Sequence, residues 1–371
     1  MLKFIVDNSL LLIAGAVTAL AWANLDLASY EHAAHAIHFA VNDIGMVFFF
    51  ALAMKEVVEA MRPGGALSTP RQAGLPILAA VGGMAVPAVL FLIGARGSHH
   101  EELNRGWAIP CATDIAFSYL AAKVIFRRTS PAIPFLLLLA IADDAFGLLL
   151  LAIFYPSGPL APGLLAAVLT PALALAWWMR RRNVRSFWWY LAGPGVLSWV
   201  ALYLGGIHAA LALVPVIPFL PGAKQDLGIF DPREAQRRDT LNAFEHWWKV
   251  PVQVVLFFFG LANAGVPLSS VGPATWLVLA GLIIGKPIGV VGMTLIGERF
   301  GLQRAPGLTL PTLVTVGVAA GIGFTVALFF ATAAYAPGVV LDQAKMGALL
   351  SFLAAPLAIL LGRLFRLRRN A

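Results

Sequence analysis

The chain has 371 residues, of which 60% are hydrophobic and 12% are charged, and its mean hydropathy is +0.84. Soluble domains carry about 25% charged residues, so the composition excludes a soluble enzyme or binding module and indicates a polytopic membrane protein. The net charge of +8 does not indicate nucleic-acid binding because the basic residues fall mostly in loops, and the single cysteine, Cys111, excludes an internal disulfide.

The apolar segments predict an all-α fold of about twelve transmembrane helices in a single domain over 1–371, because about 20 residues cross the hydrocarbon of a bilayer. No cleavable signal is evident, and the run from Leu10 to Trp22 is interpreted as the first span. The segments lie near 9–27, 41–61, 74–95, 107–125, 132–155, 161–179, 187–203, 206–219, 247–266, 274–297, 310–335 and 345–364.

The basic residues of the loops predict the orientation. One side has only Arg96, Arg105 and Lys345. The other side has Lys3, Arg62, Arg71, Arg127, Arg128, Arg180, Arg181, Arg182, Arg185, Lys224, Arg233, Arg237, Arg238, Arg299, Arg304, Arg363, Arg366, Arg368 and Arg369. The rich side is cytoplasmic by the positive-inside rule and includes both termini and a connector over 221–244. The cluster from Arg180 to Arg185 could also contact anionic membrane lipid, although a topology signal is the favoured interpretation.

Two predicted spans are interrupted, one in each half of the chain. The fourth span contains Pro110, and the eleventh contains Gly321 and Gly323. Proline removes a backbone donor and glycine disfavours helix, although glycines alone would also suit close helix packing. Together they predict two discontinuous helices that cross at the membrane midplane, within inverted repeats over about 74–155 and 274–364.

Adjacent carboxylates occupy the middle of the fifth span. Asp143 and Asp144 lie in an apolar run from Ala132 to Tyr155, where each charge costs on the order of 3 kcal/mol. Such a cost indicates an ion or proton site. An intramembrane enzyme is disfavoured, because Gly-x-Gly-Asp and Asp-x-x-x-Asp patterns do not occur around the pair.

Two further charges lie deep in predicted spans, Asp114 in the fourth and Lys286 in the tenth. Asp114 and Lys286 would neutralise half-helix ends, since N-terminal ends are partly positive and C-terminal ends partly negative. This leaves Asp143 and Asp144, with the hydroxyl of Thr113, as ligands for Na⁺ or Li⁺, which favour oxygen. The alternative is a buried ion-pair network with a purely structural role.

Five motifs resemble the signatures of the NhaA family of sodium/proton antiporters. They are Ala112-Thr113-Asp114-Ile-Ala-Phe, Ala140-Ile-Ala-Asp143-Asp144, Ala262-Asn263-Ala264-Gly265-Val266, Gly285-Lys286-Pro287 and Gly321-Ile-Gly323-Phe324-Thr325. The resemblance covers nearly the whole chain. It implies a cofactor-free antiporter of the bacterial inner membrane that exchanges Na⁺ or Li⁺ for H⁺ in sodium and pH homeostasis.

The resemblance also assigns roles. It implies that Asp143 and Asp144 bind the cation and protons near Thr113, and that Lys286 pairs with Asp143 when the cation is absent. It further implies an electrogenic cycle of two protons in for each sodium out. A sodium-coupled symporter of an organic anion is the alternative, against which Lys286 and Asp143 argue.

Departures from the family concern pH sensing and dimerisation. Lys55 stands where an acid is expected and Val58 where a base is expected, whereas four residues match the family's pH-sensing positions. These are Glu59, His208, Glu245 and His246. The expected loop from Ala28 to Ala40 is too short for the β-hairpin that joins family dimers, so the sequence does not support the homodimer that the resemblance would otherwise imply.

Histidine and phenylalanine clusters carry weaker signals. His32, His35 and His38 could bind a metal from one helix face, although a solvated loop is favoured. The clusters 48–50 and 257–259 of phenylalanines predict packing or a lipid-facing surface.

Overall fold

The computed structural model describes residues 9–65, 67–97, 101–127, 129–223 and 239–367, with no side-chain description for 70–72. These ranges contain helices, turns and extended connections but no β-strand. Both chain ends, most of the connector predicted over 221–244, and several of the basic residues used for orientation fall outside the described residues. Those basic residues are Lys3, Arg128, Lys224, Arg233, Arg237, Arg238, Arg368 and Arg369.

Within these described ranges, sixteen α-helices are labelled in chain order. They are α1 (Leu10–Leu25), α2 (Leu27–Phe39), α3 (Met46–Ala60), α4 (Pro70–Gly97), α5 (Ile115–Ile125), α6 (Ala132–Phe154), α7 (Pro162–Arg181), α8 (Phe187–Tyr190), α9 (Val196–Gly205), α10 (Thr240–Asn263), α11 (Pro273–Ala280), α12 (Lys286–Arg299), α13 (Leu310–Ala320), α14 (Phe324–Ala334), α15 (Val339–Leu350) and α16 (Ala354–Leu364). Wider π-helical turns at Ala40–Gly45, Leu191–Gly195 and Gly281–Gly285 join three pairs of them.

Six helices in the described ranges are long and apolar enough to cross a membrane, and the number is eight if each of two bent pairs forms one span. The chain is therefore a polytopic, all-α membrane protein. The segment 206–219, expected to be a continuous span, instead holds two short 3₁₀ helices, Ala209–Leu211 and Ile217–Phe219. Pro215 and Pro218 explain this difference, because each lacks the N–H that a continuous helix needs.

Both bent pairs lie at the interruptions expected from sequence. The 3₁₀ segment Glu101–Cys111 and α5 meet at 51°, and α13 and α14 meet at 50°. The two breaks face each other, since the Asp114 backbone N–H donates to the Ile322 carbonyl at 2.7 Å. Two unwound stretches of backbone thus satisfy one another inside the bundle, where unpaired polar groups would be costly.

Glycines allow α4 and α12 to cross in backbone contact. A Cβ at Gly82 would collide with the Gly289 carbonyl, and Gly83 lies against the Lys286 side chain. The π turn Gly281–Gly285 ends directly before Lys286, and Pro287 has no N–H to donate to the preceding turn. This local widening and the close crossing direct Lys286 toward the two breaks.

The second span is longer than expected. The helix Leu27–Ala60 runs for 34 residues, so the expected loop from Ala28 to Ala40 is wrong and its residues are helical instead. The Asp26 carboxylate starts the helix by accepting from the Ser29 N–H at 3.1 Å.

Candidate ion-binding site

The crossing of the two breaks contains a buried ion pair. Lys286 Nζ lies 3.0 Å from Asp143 Oδ2 and donates to the Cys111 carbonyl at 2.6 Å. Thr113 Oγ1 donates to the same carboxylate oxygen at 2.6 Å and lies 3.0 Å from the Ala320 carbonyl. Asp143 and Lys286 are 2% and 0% exposed, so loss of either partner would leave an uncompensated charge in the interior.

Asp114 connects the first helices after both breaks. Its carboxylate accepts from the Phe117 N–H at 3.4 Å, from the Thr325 N–H at 3.2 Å and from the Thr325 hydroxyl. Asp114 therefore lies at the partly positive N-terminal ends of α5 and α14, while Lys286 lies at the C-terminal end of the 3₁₀ segment through the Cys111 carbonyl. Each charge contacts a helix end of opposite polarity.

Asp144 faces a different direction from Asp143, because consecutive helical residues point about 100° apart. It is half-buried and lines a cavity of about 410 Å³, named here the acid cavity, together with Thr113, Asp114 and Glu245. Asp143 Oδ1 is buried and has no hydrogen-bond partner in the described part of the chain. A carboxylate next to a cavity and a free acceptor beside it could hold a cation or a proton.

Glu59 and Glu245, the acids that match the family's pH-sensing positions, both lie next to Lys55, which stands where the family has an acid. Lys55 is 4% exposed and lies 2.5 Å from Glu59 Oε2, 2.5 Å from Glu245 Oε2 and 3.7 Å from Glu56 Oε1. The structure brings Glu59 and Glu245 together through Lys55 but leaves His246 exposed at the surface. The four-residue spacing of Lys55 and Glu59 was a local signal for part of this cluster.

His208 lies elsewhere, at a second cavity of about 890 Å³, named here the His208 cavity. Asp43, Asn104 and Tyr155 also line it. His208 Nε2 and Asn104 Oδ1 are buried without a hydrogen-bond partner among the residues that the structure describes. The predicted pH-sensing residues therefore lie in three places: Glu59 and Glu245 at Lys55, His208 at this cavity, and His246 at the surface.

Two long-range side-chain contacts were not assigned from sequence. Thr325 belongs to a recognised motif, yet its bonds to Asp114 required knowledge of how the breaks cross. The Asn42 and Asn263 amides form reciprocal hydrogen bonds of 3.1 and 2.9 Å, across 221 residues of chain.

The histidines of α2 do not form a metal site. His32 and His35 are exposed, and His38 Nε2 lies 2.9 Å from Asn42 Nδ2. Across the described residues, no group of three or more His, Cys, Asp or Glu is placed to hold a metal ion. A sodium or lithium ion at Asp143 and Asp144 would be cargo, held by carboxylate, hydroxyl and carbonyl oxygens.

Comparison with known proteins finds a matching family and relatives that all carry the name of a Na⁺/H⁺ antiporter. A sequence model of the family described as Na⁺/H⁺ antiporter 1 matches residues 2–362. The Na⁺/H⁺ antiporter NhaA of Jannaschia sp. (strain CCS1) is 43% identical, over 99% of this chain and 98% of that protein. Na⁺/H⁺ antiporter NhaA 2 of Pelobacter propionicus is also 43% identical, with the same shares covered. The protein from Geobacter sulfurreducens named Na⁺/H⁺ antiporter NhaA is 43% identical, over 98% and 97%.

Proposed function

The chain belongs to the Na⁺/H⁺ antiporter 1 family and is a multi-pass Na⁺/H⁺ antiporter of the bacterial inner membrane, and we propose that Asp143 and Asp144 form its transport site. The observation that carries this proposal is the position of Asp144 on the acid cavity, beside a carboxylate whose second oxygen is free. Na⁺ binds these oxygens with Thr113, and Li⁺ is the second cation expected.

Exchange follows from competition at these carboxylates. A proton on Asp144 excludes the cation, and release of that proton to the cytoplasm frees the oxygens for Na⁺. A cation that also binds Asp143 displaces Lys286 from this carboxylate. The Asp143–Lys286 pair then releases the second proton of the cycle. Two protons enter for each sodium that leaves, and the cycle moves one net charge inward.

The helix ends at the crossing support the same assignment. Asp114 stabilises the N-terminal ends of α5 and α14, and Lys286 stabilises the C-terminal end of Glu101–Cys111. With Asp114 committed to helix ends and Asp143 paired with Lys286, Asp144 remains as the acid of the adjacent pair that lines the acid cavity. Gly321 and Gly323 permit the second break, since a Cβ at Gly321 would meet the Leu282 carbonyl.

Twelve spans, cytoplasmic termini and inverted repeats remain the proposed topology. A long helix, a bent pair and a second long apolar segment follow one another over 70–154 and again over 273–364. That shared order supports repeats near 74–155 and 274–364 on either side of the connector. With this orientation, the acid cavity faces the cytoplasm.

Regulation and assembly belong to the same proposal. Glu59 and Glu245 sense pH through Lys55, and His208 and His246 respond separately because they lie apart from that cluster. The basic cluster from Arg180 to Arg185 acts as a topology signal, with contact to anionic membrane lipid as the alternative, and a homodimer, if one forms, lacks a β-hairpin between the subunits.

The deciding experiment measures Na⁺-driven proton release in everted vesicles with a ΔpH dye. We expect dequenching in the wild type and its loss in Asp144→Asn, which keeps the shape of the side chain but removes the charge. Asp26→Asn is the matched control, because Asp26 is exposed and asparagine also caps helices.

Unchanged dequenching in Asp144→Asn would overturn the assignment of the site. Sodium uptake with an organic anion and without proton flux would establish the symporter in its place.

A further inference from the structure

The C-terminal end of α13 lies at the second break and contacts two hydroxyl groups of the first broken span. Ser118 Oγ on α5 donates to the Ala319 carbonyl at 2.9 Å, and Thr113 Oγ1 lies 3.0 Å from the Ala320 carbonyl. The last carbonyls of a helix have no partner within it, so both contacts satisfy groups that α13 cannot satisfy itself. Ser118 carried no signal in the sequence, because its partner lies 201 residues away.

The two hydroxyls differ in the choice of acceptor that they have. Thr113 Oγ1 lies within hydrogen-bonding distance of both Asp143 Oδ2 and the Ala320 carbonyl, at 2.6 and 3.0 Å. A threonine hydroxyl has a single hydrogen to donate, so it satisfies the carboxylate or the carbonyl but not both at once. The Ser118 hydrogen, by contrast, is directed at α13.

Ser118 lies behind the transport site rather than in it. Thr113, Asp114 and Tyr119 line the acid cavity, whereas Ser118 is 1% exposed and faces α13. Its backbone N–H donates to the Asp114 carbonyl at 3.0 Å, so Ser118 belongs to the first turn of α5, directly after the break. Loss of its hydroxyl therefore removes no ligand from a cation and changes only how α13 is held.

We propose that Ser118 is a positioning residue for cation binding. A cation on the Thr113 oxygen repels the hydroxyl hydrogen, which then turns from Asp143 to the Ala320 carbonyl. Ser118 keeps this carbonyl within reach, because it fixes the neighbouring residue Ala319 against α5. No covalent bond changes in this step, since only the O–H group rotates. The inference rests on the proposed function, because it concerns cation binding at the transport site.

The cation-free state depends less on Ser118 than the cation-bound state does. Without a cation, the Thr113 hydrogen goes to Asp143, the nearer of its two acceptors, and the exact position of Ala320 matters little. With a cation, loss of the Ser118 hydroxyl leaves the Thr113 hydrogen with a poorly placed acceptor. The bound state is thus weakened relative to the free state, which raises the Na⁺ concentration that exchange requires.

Exchange kinetics in everted vesicles test this role. Ser118→Ala should raise the apparent KM for Na⁺ about three- to tenfold, the ratio that corresponds to one buried neutral hydrogen bond, with a much smaller change in the maximal rate. Ser118→Thr keeps the hydroxyl and should retain the wild-type KM. Ser118→Cys nearly keeps the size of serine but is a weak donor, so it should behave like Ser118→Ala. A merely structural residue would lower the amount of folded protein and leave KM unchanged.

Ser198→Ala is the matched control. Ser198 on α9 is also a fully buried serine, and its hydroxyl has no hydrogen-bond partner in the described part of the chain. The same substitution there should leave the KM for Na⁺ unchanged. Binding is measured without transport from the Na⁺ dependence of the thermal unfolding temperature in detergent, and the Kd obtained for Ser118→Ala should rise by the same factor as its KM.

A double-mutant cycle tests whether Ser118 acts through Thr113. Thr113→Val removes the hydroxyl, keeps the shape of the side chain and should raise the Kd for Na⁺ by itself. Ser118→Ala added to Thr113→Val should raise the Kd no further, because no hydroxyl hydrogen is left to place. Factors that multiply in full would show that Ser118 acts independently of Thr113, and they would overturn the proposal.

The outcomes separate the two proposals. Absence of Na⁺/H⁺ exchange in the wild type would defeat the proposed function, whatever the variants show. Normal wild-type exchange with an unchanged KM in Ser118→Ala would defeat the positioning role alone. If Ser118→Ala is not recovered from the membrane, Ser118→Cys carries the same test, and a wild-type KM in that variant also overturns the role.

Discussion

Two buried lysines of this protein have opposite surroundings. Lys286 lies at the crossing of two broken helices, with one carboxylate at 3.0 Å and one carbonyl at 2.6 Å. Lys55 lies within a continuous helix, with Glu59 and Glu245 each at 2.5 Å and Glu56 at 3.7 Å. The first lysine shares an acid that has a free oxygen, and the second is enclosed by acids on regular helices. Under the proposed function, the first pair exchanges partners during transport and the second cluster persists.

The largest expected effect is on the charge moved per transported Na⁺, which should distinguish the acid at Lys286 from the acids at Lys55. Asp143→Asn removes the partner of Lys286, so the current per transported Na⁺ on a solid-supported membrane should fall to zero. Glu59→Gln makes the same chemical change at Lys55 and should leave the charge per Na⁺ as in the wild type. An undiminished current per cation in Asp143→Asn would show that the Lys286 pair does not set charge coupling.

A second expectation concerns stability. Lys286→Met leaves Asp143 buried without a cation and should destabilise the protein by about 3–5 kcal/mol, the usual effect of breaking one side of a buried pair. The double variant Asp143→Asn/Lys286→Met should recover much of this loss, because neither partner is then left charged. Thermal unfolding in detergent measures both effects.

The control for that recovery is Glu59→Gln combined with Lys55→Met. Glu56 and Glu245 then remain as acids without the lysine at position 55. The double variant should therefore recover less stability than Asp143→Asn/Lys286→Met. Equal recovery at both lysines would contradict the distinction between an exchanging pair and a persistent cluster.

The smallest expected effect is a shift of pH response. Lys55→Met removes positive charge near the acid cavity, so protons there are held more tightly and compete longer with Na⁺. The pH of half-maximal exchange should rise by about one unit, the effect typical of one nearby charge. Dye dequenching from pH 6 to 9 measures it, with Arg181→Met as the control, since that guanidinium lies over the Trp177 ring at 4.7 Å on α7, which contributes no residue to the acid cavity. A lower midpoint would reverse the assigned role of Lys55.

Local features made the breaks predictable from sequence, whereas the partners of most charges were not. Gly321 and Gly323 disfavour helix wherever they occur, and Asp143 and Asp144 are conspicuous in any apolar run. The contact of Lys55 with Glu245 spans 190 residues, and that of Thr325 with Asp114 spans 211. Such pairs depend on how the helices pack, which apolar periodicity does not encode.

Two predictions about the fold were wrong, and each error has a local cause. The helix Leu27–Phe39 was expected to be a loop because Glu31 and its histidines are polar, yet an exposed helix tolerates polar residues on all sides. The segment 206–219 is apolar enough for a span, but Pro215 and Pro218 outweigh its hydropathy.

The helix Leu27–Ala60 has a consequence for the side of the membrane opposite the acid cavity. Its 34 residues extend about 50 Å, whereas the hydrocarbon core is about 30 Å thick. With Ala60 at the cytoplasmic surface, the first turns of α2 project into the external medium and carry exposed Glu31, His32 and His35. The proposed topology thus places exposed polar side chains of this helix outside the cell, while Lys55, enclosed by its acids, lies near the cytoplasmic end of the same helix.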